Sequence, residues 1–242
     1  MLVAAAVCPC PPLLVPAVAA GAASELDAAR AACAGALGVL AAARPDRLIV
    51  VGPAGEDGRG PHPHGSAGSF RGFGVAVDVV LGGSGDGAAA GPRPGPGLPS
   101  SLAVAAWLLE HVRWSAAPVD GLGVGERLDP ERCAEAGQEI ATGPDRVALL
   151  VMGDASASRS LKAPGYLDER AAAFDEKVAR ALETADVAAL KALDAELAYD
   201  LKAAGRAPWQ VLAGAAEDAG LSGELLYEAA PYGVGYLVAA WS

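Results

Sequence analysis

The chain has 242 residues, with 29 acidic against 18 basic side chains and a formal net charge of −11. Such a field repels phosphate backbones and anionic lipid surfaces, which argues against nucleic acid and membrane as partners. Hydrophobic residues make up 52% of the chain, enough to bury a core as one domain or as two closely packed halves.

The first charged residue is Glu25, so the N-terminal stretch superficially resembles an export signal. It lacks a basic leading region, and Pro9, Pro11, Pro12 and Pro16 break any apolar helix there. Val7 before Cys8 does not suit lipoprotein cleavage. The expectation is a cytoplasmic protein whose cysteines, at 8, 10, 33 and 133, are reduced thiols.

Short apolar runs alternate with helix-length amphipathic stretches. Leu2–Val7 reads as a strand, followed by a capping box at Ser24-Glu-Leu-Asp27 and a helix with Leu26, Cys33, Leu37 and Leu40 on one face. Arg47–Val51 is a buried strand, which completes one βαβ unit. Gly74–Leu81 reads as another strand and Ser101–Val112 as a helix. Val119–Val124 is a weaker strand leading to Asp129-Pro130, an N-cap with proline at the first helical position, and a helix that turns Cys133 and Ile140 inward.

Arg146–Met152 is a strong strand. A helix is expected after Pro164, with Leu167, Ala171, Phe174, Val178 and Leu182 on one stripe and Asp168 and Glu169 in its first turn. Ala185–Ala204 is helical by composition, Pro208 opens a further helix, and Glu224–Tyr227 and Val234–Ala240 are closing strands. The Gly/Ala/Pro-rich segment 82–99 is expected to be a mobile surface loop within a single domain. This order predicts a three-layer αβα sandwich around a mostly parallel or mixed sheet.

In such sheets ligands bind beyond the carboxyl ends of the strands. Three segments there stand out: Cys8-Pro-Cys10-Pro-Pro-Leu-Leu14, Gly52-Pro-Ala-Gly-Glu-Asp57 and Gly153-Asp-Ala-Ser-Ala-Ser158. None contains one of the chain's three histidines. His62 and His64 fall in a Gly/Pro-rich loop and His111 inside a helix.

The pattern Pro-x-Pro-Pro-Leu-Leu-Val-Pro at 9–16, Gly-Pro-x-Gly at 52–55, Gly-Asp-x-Ser at 153–156 and the ending from Tyr227 through Ala239 resembles the subunit-B type of class III extradiol ring-cleavage dioxygenases, a group that includes Memo-like proteins. The resemblance spans essentially the whole chain and is most specific from Pro208 to Trp241. It implies one Fe(II) held by two histidines and a glutamate, with a further histidine as acid/base. On the matching positions the ligand histidines are replaced by Cys10 and Ala54, and the acid/base histidine by Ala157. The glutamate position falls at Ala203 or Ala204. The resemblance therefore implies a family fold whose metal site is degenerate and which needs no cofactor. The pocket would be formed by Cys10, Ala54, Asp154, Ser156, Ala157, Glu228 and Tyr232, and it would serve a small molecule or a protein partner. The alternative, ranked second, is an active extradiol-type or other metal-dependent enzyme using substitute ligands such as Cys10, His62, His64 or Glu228; assembly into a homo-oligomer stays open.

Other chemistries compete with plainer roles. Cys8 with Cys10, and His62 with His64, would suit tetrahedral zinc by residue type. Their one-residue spacing and the intervening prolines favour a core thiol and a solvated loop instead. Ser156 and Ser158 lack the Gly-x-Ser-x-Gly elbow, so Asp154 and Ser156 read as hydrogen-bonding groups at a strand-to-loop turn. Arg159 and Lys162 could meet an anion or simply solvate their loop. The glycines at 121, 123 and 125, and at 233 and 235, do not have nucleotide-binding spacing.

Overall fold

The computed structural model describes residues 1–83 and 97–242, so most of the segment expected to be a mobile loop lies outside the described residues. Strand β1 (Leu2–Cys8) is followed by a 3₁₀ turn at Pro12–Leu14, the short helix α1 (Pro16–Ala19), a 3₁₀ stretch over Ala20–Leu26, and α2 (Asp27–Ala42). The capping box does not form, because α2 starts without a side-chain cap. Arg30 instead ties the preceding turns down by donating to the Leu14 and Ala23 carbonyls.

Strand β2 (Arg47–Pro53) leads through a 3₁₀ turn to β3 (Gly60–His62), β4 (Ala67–Ser69) and β5 (Asp78–Val80). The expected strand 74–81 is thus only three residues long. Gly74, at φ 84°, closes the turn before it. β5 pairs with β4 in a separate two-stranded ribbon. His62 does not lie in a solvated loop. It is buried on β3, opposite Gly121, where a Cβ would crowd Leu81, Leu102 and the His62 Cβ.

Helix α3 (Ser100–His111), β6 (Val119–Val124), α4 (Pro130–Ala141) and β7 (Val147–Met152) follow as the pattern predicts, with Asp129 capping α4 through the Glu131 N–H. The next helix, α5, spans only Arg170–Glu183. Tyr166 adopts φ 62° and the Asp168 carboxylate accepts the Arg170 N–H, so the residues from 164 to 169 turn rather than coil and Leu167 is exposed. Likewise 185–204 is not one helix. Asp186 and Asp194 each cap a new start, giving α6 (Val187–Lys191) and α7 (Ala195–Asp200). Helix α8 begins at Arg206, with Pro208 inside its first turn, where an absent N–H leaves no bond unmade. Two strands, β8 (Gly223–Ala229) and β9 (Tyr236–Trp241), end the fold.

The main sheet has seven strands in the order β3-β6-β2-β7-β1-β9-β8. The central β6, β2, β7 and β1 run parallel, while β3, β9 and β8 are antiparallel to their neighbours. Alternate residues face two separate cores. Ala5, Val7, Val51 and Leu149 pack on the side of α4, α5 and α8, with Trp209 and Phe174. Ala4, Ala6, Cys8, Val50 and Leu150 pack on the side of α2 and α3. The result is a three-layer αβα sandwich. Among the described residues no helix is long and apolar enough to cross a membrane.

Candidate functional site: a cleft at the carboxyl ends of the parallel strands

Strands β1, β2, β6 and β7 all point their carboxyl ends the same way, and the loops that leave them surround a cleft of about 470 Å³. Cys10 comes from the loop after β1, Ala54 from that after β2, and Asp154 and Ala157 from that after β7. Ala204, ahead of α8, closes the same wall, so every position at which the resemblance implies metal chemistry borders one space. Tyr232 lies on the opposite side, with its hydroxyl donating to Glu25 at 2.9 Å.

Small residues let these loops converge. A Cβ on Gly153 would stand 2.3 Å from the Gly205 Cα, so β7 and the loop before α8 touch backbone to backbone. The Gly205 N–H donates to the Asp154 carbonyl at 2.9 Å, and the Ala157 N–H to the Leu201 carbonyl at 2.9 Å. Gly52 makes room for Ser101, which donates to the Pro53 carbonyl at 2.7 Å and fastens α3 to the end of β2.

Two predicted site residues lie elsewhere. Ser156 is fully buried behind the cleft wall, and its N–H and hydroxyl both bind the Asp175 carboxylate, at 2.8 and 2.9 Å. Arg159 completes that cluster at 2.9 Å, so its guanidinium is committed to an internal ion pair. Strand alternation would put 154 and 156 on one side, but β7 has ended by then: the Ala155 N–H and the Ser156 carbonyl bond to Gly235, and 156 turns away from the side that 154 faces. Glu228 faces a different, smaller depression beside Arg159 and Asp175, because it sits in β8, opposite Leu237 of β9. Lys162 is exposed.

Three lining residues carried no strong signal in sequence. Tyr236 begins β9 and lies inside the family-like ending, which is the one clue to it. Glu126 and Lys202 come from turns whose positions depend on folding. Arg206 shapes the first of these turns, donating from its buried guanidinium to the Glu126 and Leu128 carbonyls and to Gln210.

The cleft's electrostatics centre on Asp154. Its Oδ1 accepts the Cys10 N–H at 2.8 Å, which clamps the end of β1 to the end of β7. Burial outweighs that bond and lifts the carboxyl to about 7. The Cys10 thiol is pushed well upward, first by burial and then by the neighbouring Asp154 charge, so it is held protonated. The Tyr236 phenol is raised by burial and by Asp154.

This donor set does not fit an iron ion. Alanine at 54, 157 and 204 offers no lone pair, which leaves Cys10 as the one donor among the four positions. The substitute ligands do not assemble either. Cys8 is hydrogen-bonded to Cys33 in the core, and His62 Nε2 lies 2.8 Å from the Gly58 carbonyl. His64 occupies an exposed turn beyond it. Among the described residues no group of three His, Cys, Asp or Glu side chains could hold a metal ion.

Fold and cleft together define an α/β sandwich with a ligand-sized space at the carboxyl edge of its sheet. The chain is structurally similar to the uncharacterized protein JW3007 from Escherichia coli K12, with a TM-score of 0.51 and 15% identity over 99% of each chain. At that identity the likeness speaks for the fold alone. No protein-family model and no curated protein matches the chain.

Proposed function

We propose that this chain is a class III extradiol dioxygenase-like protein that has lost its ferrous-iron ligands and uses the cleft to bind a small molecule without metal-dependent ring cleavage. One observation carries the reading: Cys10, Ala54, Ala157 and Ala204, contributed by four separate loops, meet around one cavity of about 470 Å³ while supplying no metal-binding donor set. That volume lies within the usual range for small-molecule sites. Prolines 11, 12, 53 and 164 give it apolar walls, and a few polar groups are placed at one end.

The test is metal analysis after incubation with Fe(II) and with Zn(II), followed by oxygen-uptake assays on catechols. The expected result is no stoichiometric metal and no uptake. A stoichiometric ion that disappears on Cys10→Ser, or turnover of a catechol, would replace this reading with a metal-dependent enzyme built on substitute ligands.

A further inference from the structure

The lining of the cleft presents two side-chain oxygens that no other described residue engages, beside a thiol. Tyr236 is only 2% exposed and lines the cavity, yet its hydroxyl makes no hydrogen bond among the described residues. Cys10 is 8% exposed, and its sulfur is met by the Asp154 backbone N–H. Asp154 spends one oxygen on the Cys10 N–H and leaves the other without a partner among the described residues. The three are neighbours, since the Asp154 charge acts on both the thiol and the phenol. Among the described residues the buried polar atoms without a partner are Arg206 Nε and Trp209 Nε1, so the Tyr236 hydroxyl and the second Asp154 oxygen open on the cavity, where a ligand group can reach them.

Both oxygens can accept a hydrogen bond, and one of them belongs to a carboxyl group. The charges at the rim oppose one another, Glu126 against Lys202, and both side chains are exposed. The net character of the floor is therefore set by Asp154. A ligand head group that offers several donors and one positive charge matches it, whereas a carboxylate or phosphate would meet a like charge.

We propose that the cleft takes a small organic amine as its ammonium ion, with the free Asp154 oxygen and the Tyr236 hydroxyl accepting two of its N–H donors and the proline-lined walls covering its apolar part. The inference rests on the reading of this cleft as a small-molecule pocket. Burial makes a bare carboxylate expensive at this position, and an arriving ammonium supplies the missing counter-charge.

Three probes with one ring and different head groups test it: benzylamine, benzyl alcohol and benzoate, followed by ligand-observed NMR on the intact protein. Benzylamine should bind ahead of the other two. Asp154→Asn should weaken it by about tenfold or more, the scale of a lost charge-assisted hydrogen bond, while leaving benzyl alcohol nearly unchanged. Tyr236→Phe removes one oxygen and keeps the ring in the core, so it tests the same grip should Asp154→Asn not fold; it should weaken benzylamine severalfold. Benzoate or benzyl alcohol binding at least as well as benzylamine would overturn the ammonium assignment and leave the pocket standing. If none of the three binds, both the assignment and the pocket reading fail.

Discussion

Asp154 links stability to pH in a direction opposite to that of an ordinary salt-bridged carboxylate. Its folded value is about 7, against about 3.9 for an unfolded aspartate, so the folded protein holds this proton where the unfolded chain releases it. The favourable contribution is complete below about pH 4 and is lost as pH rises through about 7, at about 1.4 kcal/mol per pH unit within that window. Asp175, also raised by burial, acts in the same sense. Asp78 and Asp168, held near 2 by Arg71 and Arg170, act in the opposite sense only at lower pH. Urea midpoints should therefore fall between about pH 5 and about pH 8. Asp154→Asn keeps an oxygen for the Cys10 N–H, so it should flatten that slope and be the more stable protein at the alkaline end. Parallel curves for the two proteins would show that the carboxyl is not perturbed.

Between elements, α4 and α8 pack backbone against backbone, and glycine makes this possible. A Cβ on Gly137 would stand 2.0 Å from the Val211 carbonyl oxygen, and one on Gly214 would stand 2.1 Å from that of Ala134. Both obstacles are backbone, which cannot swing aside. Gly214→Ala should destabilise the fold by about 1–3 kcal/mol or more, read from thermal or urea unfolding. Gly38 is the control, because it sits in α2, exposed, with nothing near its would-be Cβ. Gly38→Ala should stabilise by about 0.5–1 kcal/mol through helix propensity. Equal effects at the two sites would mean that close packing is not what α8 requires. The expected long helices failed for a related, local reason: Asp168, Asp186 and Asp194 bind backbone N–H groups at new helix starts, an option that a count of helix-forming residues does not register.

Across the whole molecule the sheet divides two cores, and the thiols report on both. Cys8, on β1, and Cys33, on α2, share one core, Cys133, on α4, lies in the other, and all three are wholly buried. Cys10 alone borders the cleft. A small thiol reagent should modify Cys10 first, slowly because its thiol is held protonated, and the other three only at the rate of unfolding. Peptide mapping after timed labelling decides this. Early modification of Cys8, Cys33 or Cys133 in folded protein would mean that the cores open locally.

The fold class was legible in the chain because burial imposes a period, and the runs at 2–8, 47–53 and 147–152 could satisfy their backbone only as inner strands. Part of the cleft was legible too, since Cys10, Ala54, Asp154 and Ala157 each follow such a strand. What a strand faces once it has ended depends on register and on neighbours far away in sequence. That is why Ser156 turned inward to Asp175, Glu228 moved to another depression, His62 became an edge-strand core residue, and Tyr236 arrived beside Asp154. Local composition encodes which segments must be buried; the distances between side chains from different loops exist only after the layers have packed.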